Sequence, residues 1–123
     1  MPHNSPVFNV DTHGGTLVVT PTGDQVGFRL ARIQEQTDQI LEAIRRDHIR
    51  NVVVDAAQSS YLSSSIIGAL IQMWEAVSAA GGRLAVCGLT DDAMEALVAT
   101  RLDTRWPSFP TRAEALAELG GGT

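Results

Sequence analysis

The sequence predicts a single α/β domain with helices packed on a mainly parallel sheet, in the order β-β-α-β-α-β-α-β-α. Three observations predict it. Short β-prone runs alternate with segments of helical periodicity. Two of those runs, NVVVD at residues 51–55 and RLAVC at residues 83–87, are apolar on consecutive residues, as strands covered on both faces are. Helices that follow strands at short spacing imply parallel pairing through right-handed crossovers. The 123 residues, 44% hydrophobic and 19% charged, suit one globular core. Aromatics are 5%, so that core is mainly aliphatic. About two-thirds of the unfolded surface is buried at this size, and no metal or disulfide is needed to hold it.

Residues 1–6 are polar and proline-bearing and read as a flexible terminus; the domain spans residues 7–119, and residues 120–123 form a flexible tail. Residues 7–11 and 16–20 are β-prone, with His13-Gly14-Gly15 as the hairpin turn between them. A proline and two glycines make residues 21–27 a loop. Over residues 28–46, Ile33, Thr37, Ile40, Leu41 and Ile44 fall on one stripe, and Glu42 and Arg46 have the i,i+4 spacing of an exposed helix face. After the valine strand, residues 63–80 read as a second helix, capped by serine in front and closed by Gly81-Gly82 behind. Its apolar face includes Ile66, Ile67, Leu70, Met73, Trp74 and Val77. Thr90-Asp91-Asp92 opens a third helix running to about Thr100, with acids where the helix dipole favours them. An extended segment at residues 106–109 leads to a last helix over residues 111–119, where Thr111 and Glu114 have capping-box spacing.

Composition excludes several chemistries. The net charge is −5, and all nine basic residues are arginine. Without lysine there is no P-loop lysine, no Schiff base, and no receiver-domain lysine to accompany Asp55 as phosphoacceptor. The arginines are spread among acids with no basic cluster, so nucleic acid is not an expected partner. Cys87, the lone cysteine, sits in an apolar run and reads as a buried hydrophobe. No metal or other cofactor is expected: His3, His13 and His48 are scattered, and no Cys/His spacing suits zinc. The start MPHNSPVF has no signal-peptide pattern and no stretch approaches transmembrane length, so the expected location is the cytoplasm, without membrane insertion.

The most unusual local feature is the serine run Ser59-Ser60-Tyr61-Leu62-Ser63-Ser64-Ser65, leading from a buried strand into a helix. With Ser63 at the N-cap, Ser64, Gly68, Gln72 and Glu75 line one polar face, and the Ser64 hydroxyl points to solvent. A helix start offers unpaired N–H groups and a positive dipole end to an anion. A phosphate there, with about −1.5 to −2 charges, leaves the domain folded yet disturbs an apolar or acidic contact. The same serines also suit plain capping and turn roles.

The stretch VVVDAAQSSYLSSSIIGAL resembles the STAS domains of anti-sigma factor antagonists, in which a buried strand ending in Asp precedes a helix opening with an Asp-Ser-Ser-Gly-Leu-like motif. The later stretch AAGGRLAVCGLTDDAMEALVATRLDTRWPSFPTRAEAL is similar to that family in order as well. The resemblance implies a partner-switching protein that binds a serine protein kinase doubling as anti-sigma factor. Phosphorylation of the motif's first serine ends the binding, and a phosphatase restores it. By position that serine is Ser64, with Ser63 and Ser65 as secondary candidates. Gly23, Asp24, Ser63, Ser65, Gly68 and Gln72 are then the partner-binding residues, and a homodimer is compatible with the fold. Three positions depart from the motif: Ser63 replaces its acid, Ile66 its glycine, and Val26 an acid of the earlier loop. Ile66 adds bulk near the contact face unless its side chain turns inward. These departures motivate an alternative within the fold, a phosphorylation-independent scaffold of a sensory complex or an accessory subunit of a transporter. A small serine hydrolase is a remote third reading, since no G-x-S-x-G elbow or placed base supports it and no catalytic residue is assigned. Trp106 is expected to cover the sheet edge or to meet a partner.

Overall fold

The computed structural model describes residues 6–22 and 30–119. The expected loose ends at residues 1–5 and 120–123, His3, and the loop residues Gly23, Asp24 and Val26 lie outside the described residues.

Strands β1 (Phe8–His13) and β2 (Thr16–Pro21) form an antiparallel hairpin closed by Gly14 and Gly15. Then follow α1 (Leu30–Arg46), β3 (Asn51–Asp55), α2 (Ser64–Ala79), β4 (Leu84–Cys87), α3 (Asp91–Ala99), a 3-10 turn at Leu102–Thr104, β5 (Ser108–Phe109) and α4 (Arg112–Leu119). The five strands lie side by side in chain order, with β2 to β5 parallel. Each crossover steps the same way with the same hand, so α1, α2 and α3 land on one face of the sheet. Leu17, Val19, Val52, Val54, Leu84 and Val86 meet those helices in one core. The intervening Val18, Val53, Ala85 and Cys87 pack under α4 through Ala115 and Leu119. The consecutive valines of β3 are thus divided between two covered faces, as their pattern predicted.

Helix boundaries match their end signals. Thr90 accepts from the Ala93 amide at 3.1 Å, and Thr111 accepts from the Glu114 amide at 3.2 Å while its hydroxyl donates to that carboxylate at 3.1 Å. Behind α2 the Gly82 amide reaches the Val77 carbonyl at 2.8 Å and the Gly81 amide that of Ser78 at 3.0 Å, a Schellman closure with Gly81 at φ +85°.

Two expectations change. The extended segment shrinks to Ser108–Phe109, and Trp106 before it is neither an edge cover nor a contact: it is 1% exposed and meets Trp74 edge-on at 5.9 Å between ring centroids. The 3-10 turn swings the indole under α3 and α2, where its area is better used than at a two-residue edge strand. Arg45 and Arg50 line one cleft at the strand starts.

Candidate functional site: the serine-capped start of helix α2

In a parallel sheet the loops leaving the strand C-termini converge on one edge, and α2 begins there. The connection between β3 and α2 is tied down on three sides. Asp55, at the end of β3, accepts from the Ala57 amide at 3.0 Å and from Arg112 Nε of α4 at 2.9 Å. Arg112 also reaches Thr20 Oγ1 at 3.3 Å and Asp11 at 3.5 Å, so one guanidinium joins three strands to a helix start. Ser59 is buried, and its hydroxyl donates toward the carbonyls of Pro21 and Thr22, each at 3.2 Å. Thr90, the cap of α3, donates its hydroxyl to the Ser60 carbonyl. Asp55 therefore orders the backbone below the serines.

From that base the three serines at the helix start diverge in role. Ser63 is the N-cap, extended at φ −71° and ψ 160°, and its oxygen accepts from the Ile66 amide at 3.2 Å. Ser64 is the first helical residue and is exposed; Ser65 is half-buried. Ile66 turns inward to 0% exposure, so it adds no bulk at the surface. No acidic side chain occupies the first turn of α2, which leaves the positive end of its dipole uncompensated from within the turn. Gly68, one turn on, has open space where a Cβ would stand. Gln72 follows, its amide paired with Gln34 of α1 at 3.4 Å in both directions, and Gln34 in turn donates to Asp38 at 2.8 Å. Ser64, Gly68 and Gln72 thus share a shallow polar face beside α1, with Tyr61, 42% exposed, two residues before the cap.

The arrangement presents one primary hydroxyl to solvent on a rigid base. An anion esterified there meets a helix N-terminus whose own first turn holds no acid. Among the described residues, His13 and His48 lie at the opposite sheet edge, at the end of β1 and after α1, so neither stands beside Ser64 as a base. Among the described residues no group of His, Cys, Asp and Glu is placed to hold a metal, and no helix is long and apolar enough to cross a membrane. Cys87 is fully buried beneath this edge, and burial, reinforced by the Asp55 carboxylate, pushes its thiol from 9.0 up to about 11. Ser59, Thr90, Arg112 and Gln34 are the parts that sequence reasoning missed. The partners that tie them into the site lie 30 to 101 residues away, beyond any local pattern.

Comparison with known proteins places these features in company. The model of the STAS domain family matches residues 7–115. A protein of Paenibacillus polymyxa named anti-sigma F factor antagonist is 24% identical over 110 residues, 89% of this chain and 92% of its own. An anti-sigma-factor antagonist (STAS) domain protein of Planctomyces limnophilus is similar in structure, with TM-score 0.76, 23% identity, and coverage of 91% and 97% of the two chains. The antagonist SpoIIAA in its unphosphorylated form superposes with TM-score 0.78 at 17% identity over 93% of this chain and 96% of its own. The same Bacillus cell fate determinant in its phosphorylated form gives 0.72 at 16% identity, covering 90% and 97%.

Proposed function

The chain belongs to the STAS domain family, and from that membership we propose that it is a partner-switching protein of the anti-sigma factor antagonist kind. It binds a serine protein kinase that is also an anti-sigma factor, and phosphorylation of Ser64 releases it until a phosphatase removes the phosphate. The observation that carries this reading is Ser64 itself: exposed, first in its helix, above an acid-free first turn, on a loop anchored by Asp55, Ser59 and Thr90. Partner contact then falls on Ser63, Ser65, Gly68 and Gln72, with Gly23 and Asp24 joining from the loop after β2. Gly68 is the open spot on this face, where a partner side chain meets no obstruction.

Energetics favour a switch over an unfolding event. A phosphate on Ser64 gains about 0.3–1 kcal/mol from the helix end in the free domain. Forced into a protein contact it costs more than that, and about 1.4 kcal/mol is tenfold in affinity. The test is calorimetry with the kinase that shares its operon or regulon. Ser64→Ala keeps the affinity, while Ser64→Asp weakens it roughly tenfold or more. Equal affinity of the two variants removes Ser64 from the interface. The second reading would then stand, a scaffold or transporter subunit that works without phosphorylation, which the serine in place of the motif's acid at Ser63 favours.

A further inference from the structure

At the sheet edge opposite Ser64, two clefts meet at Arg50. One, of about 260 Å3, lies between the last turns of α1 and α2, with Arg45, His48 and Arg50 on its rim and Ile44 and Ile49 beneath. The other, of about 300 Å3, lies between the β1–β2 hairpin and the end of α4, where Arg50 and His13 stand over Leu116 and Leu119. Among the described residues lining them, neither cleft presents a carboxylate. Asp47 nearby is engaged by Arg46 at 3.2 Å, and Arg83 donates to the Glu118 carbonyl at 3.3 Å. In a chain of net charge −5, the charged side chains among the described residues lining these two clefts are arginines.

His48 adds a second observation. Helix α1 closes as α2 does, with the Ile49 amide on the Ile44 carbonyl at 3.0 Å, and His48 occupies the left-handed position at φ +54°. Helix α2 puts Gly81 there, the residue that bears this conformation without a Cβ penalty. The histidine holds a strained backbone and sets its imidazole on the cleft rim.

We propose that this edge docks a short acidic peptide segment of a second partner, its carboxylates on Arg45, His48 and Arg50 and its apolar side chains in the two clefts. Arginine suits carboxylates through paired N–H donors. The clefts sit at the lower limit of small-ligand pockets, about 300 Å3, and take side chains rather than a cofactor. A nucleic acid would carry its negative charge past the patch onto the acidic remainder of the surface. Helix α2 has 16 residues, about 24 Å at 1.5 Å each, so a segment held here leaves the Ser64 face free. The chain then links its switching partner to a second, acid-bearing protein.

The test measures fluorescence anisotropy of a labelled peptide of alternating glutamate and leucine, with a glutamine-leucine counterpart as control. The intact protein binds the glutamate peptide and not the control. Arg50→Gln and His48→Gly each lower the affinity roughly tenfold or more, although His48→Gly raises the melting temperature by relieving the backbone. Ser64→Asp leaves the affinity unchanged. The proposal is overturned by no binding to the glutamate peptide, by equal binding of the control, or by unchanged affinity in both edge variants. It is equally overturned if a DNA duplex displaces the peptide from the intact protein, or if Ser64→Asp weakens peptide binding as much as Arg50→Gln does.

Discussion

Ser63 and Ser64 are chemically identical neighbours given different tasks by one step of helix geometry. Ser63 faces back along α2 and satisfies the Ile66 amide, whereas Ser64 faces out with its hydroxyl available. Removing the cap oxygen in Ser63→Ala therefore costs about 1 kcal/mol of stability, read as a melting temperature lower by several degrees. Ser64→Ala stays within about 0.5 kcal/mol of the parent. Equal losses in the two would place the cap one residue further on. This register was legible beforehand because capping is local chemistry: Ser63 lies three residues from the amide it serves. Ser59 was not legible, since the carbonyls it holds are 37 and 38 residues away. Ile66, a departure from the family motif, is resolved by the same geometry, because two steps beyond Ser64 the helix points inward.

The helices and the buried strands were readable for a physical reason as well. A 3.6-residue stripe or an unbroken valine run has few alternative ways to bury itself. Short β5 and the 3-10 turn carry no such period, and their placement is decided by Trp106 finding Trp74. The paired glycines after α2 were read as one stop signal, yet they answer separate demands. Gly81 supplies a positive φ, while a Cβ on Gly82 would stand 1.6 Å from the Arg50 carbonyl oxygen. Backbone cannot yield there without parting the strand starts of β3 and β4. Gly82→Ala is thus expected to cost about 3 kcal/mol or more, and Gly81→Ala about 1 kcal/mol. Denaturant titration of both variants checks the order; a milder loss at Gly82 would contradict the close approach.

Across the molecule, two apolar cores share one sheet, and the second is small enough for a single ionisable group to matter. Cys87 sits in it, its thiol pushed up to about 11 by burial first and by the Asp55 carboxylate next, with Arg112 opposing. A thiol raised on folding contributes fully below its unfolded value of 9.0, and that contribution is lost as pH rises through 11. Stability should fall by roughly 1–3 kcal/mol across that window, and Cys87→Ala should lack this part of the decline. Parallel pH profiles for the two proteins would argue against a dry thiol. The placement of charge is the feature least visible in the chain, because Arg50 comes to line one cleft with Arg45 and another with Leu116 and Leu119 only when the strand starts align. At the other edge, α2 offers a single serine from a run of five, and the proposed switch depends on that selection. Incubation with the cognate kinase and ATP, followed by peptide mapping of the product, tests it most directly. The account predicts a single phosphate, on Ser64, with Ser59, Ser60, Ser63 and Ser65 unmodified; a phosphate on the buried Ser59 or the cap Ser63, or none at all, would contradict it.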